Sequence, residues 1–105
     1  VGTISAGGTA TIEVDASIGA VSTLIIQATG SNDLATLQVQ AFRRVTAYDT
    51  STVVSTVASE DQVFPIGNTT AGVHVELPMG RWQVILKANA THALTNVKYM
   101  LEQYS

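Results

Sequence analysis

The chain contains no cysteine, and only 12% of its 105 residues are charged. The first absence excludes disulfides and thiolate metal sites, and it fits synthesis in a reducing cytosol. The second is unusual, because average soluble domains carry about 25% charged residues. Basic side chains are the scarcer kind: five Lys and Arg against eight Asp and Glu give a formal charge of −3. Nucleic-acid affinity rests on clustered Lys and Arg. Here Arg43-Arg44 is the only basic doublet, and two adjacent strand residues point to opposite faces. No nucleic-acid partner is expected. Long hydrophobic runs are also missing. No apolar stretch approaches the roughly 18–20 residues a spanning helix needs, so no membrane partner is expected. Residues 1–8 lack the positive and apolar regions of a signal peptide. The expectation is loss of an initiator Met before a small residue, with removal of a longer leader as the alternative.

What the chain does have is alternation. Hydrophobic residues make up 46% of it, and they are interleaved with Thr, Ser, Gln and Asn. Leu37-Gln38-Val39-Gln40-Ala41 and Val73-His74-Val75-Glu76-Leu77 are clear cases. A period of two places one set of side chains in a core and the other outside. A chain of this length buries roughly two thirds of its unfolded surface, enough for one core without staples. One domain is expected.

Residues 1–8, small and bearing Gly2, Gly7 and Gly8, read as an extended N-terminal arm. The remainder, 9–105, reads as a β-sandwich domain. Residues 9–14 and 21–29 form strands, and Leu24-Ile25-Ile26 suggests burial on both faces. Gly30-Ser31-Asn32-Asp33 is a turn signal. Residues 34–48 are ambiguous, since Leu34, Leu37, Ala41, Phe42 and Val45 also fit a helical stripe. The alternation is longer and cleaner, so a long strand is expected, paired as a hairpin with 52–57. Residues 59–62 read as a polar loop. Val63-Phe64-Pro65-Ile66 reads as an edge segment, because Pro65 has no amide for a ladder. Residues 67–72 form a loop, and 73–77, 81–89 and 94–104 complete about eight strands. Pro78-Met79-Gly80 marks the turn between two of them. The fold class is all-β: a single antiparallel β-sandwich, jelly-roll or immunoglobulin-like.

Catalytic signals are weak. His74 and Glu76 share a strand face and His92 lies in a loop, but closed metal sites need three or four ligands. They read as solvated groups. No serine occupies a nucleophile elbow, and Glu60-Asp61 lacks the opposed placement of glycosidase carboxylates. Gly7-Gly8 leads into a strand, unlike a phosphate-binding loop. Asn68-Thr69-Thr70 and Asn89-Ala90-Thr91 match the N-glycosylation pattern, as matches by chance do in a threonine-rich chain. Trp82 follows the face of Val84 and Leu86 and reads as a core anchor. Its rival role is a sugar-stacking platform with Tyr48 or Tyr99. No catalytic residue, cofactor or metal is expected.

Interface signals are stronger. Arg43 interrupts the apolar face of the longest strand, where an unpaired charge would cost several kcal/mol. The two favoured outcomes place it at the end of the sandwich or against a partner subunit. Phe42, Tyr48 and Ile85 fall on outward positions. Interfaces are enriched in aromatic residues and Arg and depleted in Lys and Glu. The candidate interface residues are Val1, Gly2, Thr3 and Ile4 of the arm, with Phe42, Arg43, Arg44, Tyr48 and Ile85.

Three features together carry a family resemblance: the arm 1–8, the long hairpin 34–57, and the run Leu77-Pro78-Met79-Gly80-Arg81-Trp82-Gln83-Val84. In this character the chain resembles the small all-β accessory proteins of tailed-bacteriophage virions, in the style of the capsid decoration or cement group. The resemblance implies a homo-oligomer, a trimer by preference, that glues major capsid subunits on the shell exterior. The arm would add main-chain hydrogen bonds to a strand edge of its partner. Synthesis would take place in the host cytoplasm. Two other readings stay open. One is a carbohydrate-binding or adhesion module with residues 59–62 and 67–72 framing a glycan site. The other is a tail or fibre component of the same particle.

Overall fold

The computed structural model describes residues 1–16, 21–46 and 53–104. They form eight strands: β1 (Gly2–Ile4), β2 (Thr9–Asp15), β3 (Val21–Gly30), β4 (Thr36–Thr46), β5 (Val53–Pro65), β6 (Thr70–Pro78), β7 (Arg81–Ala88) and β8 (Leu94–Tyr104). Two antiparallel sheets result, with orders β1-β8-β3-β6 and β2-β7-β4-β5. The pairings are nested. β4 pairs with β5, β3 with β6, β2 with β7 and β1 with β8, so four hairpin-like ribbons lie one outside another. Lateral pairs β3–β8 and β4–β7 then join the ribbons into sheets.

Between the sheets lies one core, assembled from alternate positions as the period of two requires. Leu24, Ile26 and Ala28 of β3, Val75 and Leu77 of β6, and Leu94 and Val97 of β8 line one side. Leu37, Val39 and Ala41 of β4, with Trp82, Val84 and Leu86 of β7, line the other. Fully burying a Val, Leu or Ile side chain contributes about 1.5–3 kcal/mol, so this shared layer dominates the stability. Ile25 takes the opposite parity and is half-buried on the outer face. Burial on one face only is therefore the rule for β3.

Residues 36–46 are strand, and the helical stripe through them is not used. Four residues of the proposed polar loop, 59–62, also lie inside a strand, the thirteen-residue β5. Their partner explains this: Ala41 faces Glu60, Gln40 faces Asp61 and Val39 faces Gln62. The register shifts between Ala41 and Phe42, so a bulge on the β5 side absorbs Ser59. Main-chain pairing to β4 overrides weak local propensity. The loop expected at 67–72 is shorter, because β6 already starts at Thr70.

The first eight residues contribute a strand to the sandwich. Gly2 pairs with Val97 and Ile4 with Leu94, and the Ile4 side chain is buried in the core. After it the chain turns sharply, with Gly8 N donating to Ser5 O at 2.8 Å and Gly7 N to Asn89 O at 2.6 Å. Gly7 has φ +71°, a conformation that costs glycine little. A single large apolar side chain among small ones is enough to dock the segment.

Candidate protein-protein interface

Each outward side chain of the β2-β7-β4-β5 sheet is set by strand register. Three rows cross the face: Thr9, Lys87, Gln38 and Val63; Thr11, Ile85 and Gln40; Glu13, Gln83 and Phe42. Ile85 and Phe42 therefore occupy neighbouring strands one diagonal step apart. Both are half-buried. Around them Thr11, Gln38, Gln40 and Gln83 supply hydroxyls and amides, while Lys87 and Glu13 stand in the flanking rows. Arg44 joins the next row by its backbone register, opposite Arg81. Such a surface costs less to desolvate than a charged one, and its centre offers an aromatic and an aliphatic side chain for packing.

Arg43 is placed by the ladder between β4 and β7. Its backbone pairs with Trp82, whose indole is buried, whereas Arg43 is exposed. The ladder between β4 and β7 ends one residue further on, at Arg44 and Arg81. A Cβ built on Gly80 would lie 3.0 Å from Arg43 Nε, so the guanidinium stem lies over the Pro78–Arg81 turn. The turn is fixed from both sides. Trp82 Nε1 donates to Pro78 O at 3.0 Å, and Ala16 N donates to Gly80 O at 2.7 Å. Trp82 is thus a core anchor with its polar edge satisfied, and no sugar can stack on it.

The sequence-nominated residues divide among three places. Phe42 and Ile85 share the outer face of one sheet, and Arg44 is placed by its backbone alone, opposite Arg81. Arg43 sits at its rim. Val1, Gly2, Thr3 and Ile4 belong to the edge of the other sheet, where Val1 is exposed and Ile4 is buried. Tyr48 lies outside the described residues. Five exposed apolar side chains, Leu34, Val63, Met79, Tyr99 and Met100, were not among the protein-interface candidates, and of these Tyr99 had been considered only for sugar stacking. Val63 is legible in hindsight, since it alternates with the half-buried Phe64. Met100 is legible likewise, since it pairs with the outward Ile25, whereas Tyr99 pairs with buried Ile26 and is exposed all the same.

Other candidate chemistry is dispersed. His74 and Glu76 are exposed on β6, opposite Ile25 and Thr23. His92 lies in the loop after β7, and its backbone N donates to Asn89 Oδ1 at 2.7 Å. Among the described residues no three His, Cys, Asp or Glu side chains group closely enough to hold a metal ion. The two glycosylation-like triplets differ. Asn68 is exposed, whereas the Asn89 side chain is fully engaged. Asn89 Nδ2 donates to Leu34 O at 3.0 Å, and Oδ1 accepts from Thr91 N and His92 N. Asn89 is a structural brace between two loops. A shallow depression of about 360 Å³ lies on the other sheet, beside Ile25, Gln27, Lys98, Tyr99 and Met100.

No protein-family model matches this chain, and no curated protein matches it either.

Proposed function

We propose that the chain is a non-catalytic structural protein of a tailed-bacteriophage virion, a capsid decoration or cement protein. It is made in the host cytoplasm and binds major capsid subunits on the shell exterior. The observation that carries this reading is the Phe42–Ile85 patch set among Thr and Gln on the β2-β7-β4-β5 face. Neutral polar surroundings keep the desolvation cost of a broad contact low. Repetition over a symmetric lattice then turns a modest interface into firm attachment. A symmetric homo-oligomer suits that use, and the resemblance favours three copies.

The sandwich is read as a jelly roll. Its nested pairs and its eight strands in two sheets support that type. An immunoglobulin arrangement places consecutive strands side by side within each sheet. Here β4–β5 is the one consecutive pair among the described sheets. Jelly rolls serve both in viral capsids and in lectins, so a second reading has a specific support. The depression beside half-exposed Tyr99 would suit a glycan in a carbohydrate-binding or host-adhesion module.

Cosedimentation with empty shells of the cognate major capsid protein tests the first reading. Saturable binding at a fixed number of copies per capsomer is expected. The Phe42→Glu variant should keep its melting temperature and lose binding. A wild-type protein that stays in the supernatant, or that lights up a glycan array, would overturn the assignment.

A further inference from the structure

Positive charge is scarce in this chain, and its placement is uneven. Four of the five Lys and Arg residues, Arg43, Arg44, Arg81 and Lys87, belong to β4 and β7, the two central strands of the β2-β7-β4-β5 sheet. The acids of that sheet sit on its edge strands instead, Glu13 and Asp15 on β2, Glu60 and Asp61 on β5. Along β7 the outward positions read Arg81, Gln83, Ile85 and Lys87, with exposed cations at both ends and half-buried residues between them. Arg81 and Lys87 are six residues apart along the strand, about 20 Å at strand spacing.

Each end has its own character. At the Arg81 end, Arg44 lies opposite Arg81 in the ladder, and exposed Arg43 lies over the Gly80 turn. Like charges directly opposite each other repel. Asp15 pairs in register with Arg81 from the other side. Three arginines therefore meet one aspartate, and the corner is positive on balance. At the other end Lys87 lines a depression of about 460 Å³ with Thr36, Gln38, Val63 and Asn89. No acid is among its described lining residues. Val63 is 60% exposed, so the depression has an apolar flank beside its cation. Between the two ends lie Ile85 and Phe42.

We propose, resting on the shell-attachment reading, that the capsid subunit lays an extended acidic segment along β7. One of its carboxylates meets the Arg81 corner and a second enters the Lys87 depression. Apolar side chains of the same segment pack on Ile85 and Phe42 between them. Covering this face without such acids would bury cations unpaired, which is costly. An extended segment has a period of two, so it can turn acids and apolar residues together toward β7. The acids of β2 and β5 flank this track and disfavour a broad acidic surface, so a narrow strip fits where a flat acidic patch does not. Charge thus sets register and specificity, while Ile85 and Phe42 supply packing.

Carbodiimide cross-linking of the protein bound to empty shells is the test, because it joins a lysine amine to a carboxylate in contact with it. Lys87 should form an amide with an Asp or Glu of the shell subunit, and the Arg81→Lys variant should form a second from position 81. Peptide mass spectrometry should place the two acids in one stretch, about six residues apart. Lys87→Gln and Arg81→Gln should each weaken cosedimentation about fivefold at low salt, and less at high salt, with melting temperatures unchanged. His74→Glu alters net charge by the same amount on the other sheet and should bind as the wild type does. Bound protein that yields no such cross-links, or cross-links to acids far apart in the shell sequence, would overturn the proposal. Equal losses in His74→Glu would do the same. If Phe42→Glu alone then loses binding, the attachment reading stands without an acidic partner segment. Wild-type protein that stays in the supernatant sinks both.

Discussion

The two sheets share one core but carry different outer faces. On β2-β7-β4-β5 the central positions are Thr11, Ile85, Gln40, Gln83 and Phe42. On β1-β8-β3-β6, Ile25 lies between His74 and Met100, with Glu76 and Glu102 on either side of Thr23 in the next row. Lys98 follows beside Gln27. Inward positions on both sheets are nearly all aliphatic, because packing permits little else. Outward positions are released from that constraint, so the two faces differ in composition, and the function proposed above assigns the contact to the face that carries Phe42 and Ile85.

The frame that holds both faces is the first thing to break. Gly30 closes β3 where a Cβ would overlap Gly67 O and lie 2.6 Å from the Ala35 Cβ. Overpacking of this kind costs about 1–3 kcal/mol and occasionally more, and here the obstacle is backbone. Gly30→Ala should therefore lower stability by about 3 kcal/mol, measured by urea unfolding, and loosen both faces together. An unchanged midpoint would mean the 30–35 and 66–67 loops are not in contact.

Asn89→Ala comes next. Its side chain joins the Leu34 carbonyl to the Thr91 and His92 amides. Each lost hydrogen bond contributes about 0.5–1.5 kcal/mol, so a loss of about 2 kcal/mol is expected by thermal or urea unfolding. Asp at the same site retains the acceptor and should recover part of it.

A sharper contrast between the faces comes from paired charge insertions. Phe42→Glu on one face should weaken shell binding at least tenfold, whereas His74→Glu on the other should leave it unchanged. Equal losses would erase the functional distinction between them. Both sites are outward, so melting temperatures should move little.

The smallest effect is internal. Ser22 is wholly buried on the core side of β3, and its hydroxyl has no partner among the described residues. Ser22→Ala removes a desolvated polar group and should raise stability by about 1 kcal/mol. Destabilisation would reveal a hidden partner for that hydroxyl.

Much of this was legible beforehand. Strict alternation gave β7 to within one residue and the 73–77 centre of β6, placed Trp82 inward with Val84 and Leu86, and put Phe42 and Ile85 outward. The misreadings have a common cause. Ser59-Glu60-Asp61-Gln62 looks like a loop by composition, yet β4 holds it in a ladder. Ile4 looks like one apolar residue in a loose arm, yet the space beside Leu94 accepts it. In each case a residue distant in sequence decided the outcome.

Local chemistry alone settled that the chain would form strands, which face of each would be apolar, and where several of the turns would fall. Those properties depend on neighbours two or three positions away, so they are written along the chain. Tertiary structure decided the order of strands in the sheets, the convergence of Phe42 with Ile85, and the escape of Arg43 over Gly80. These depend on pairings between segments tens of residues apart. An alternating pattern says that a strand has two unlike faces, but it does not say which strand will lie beside it.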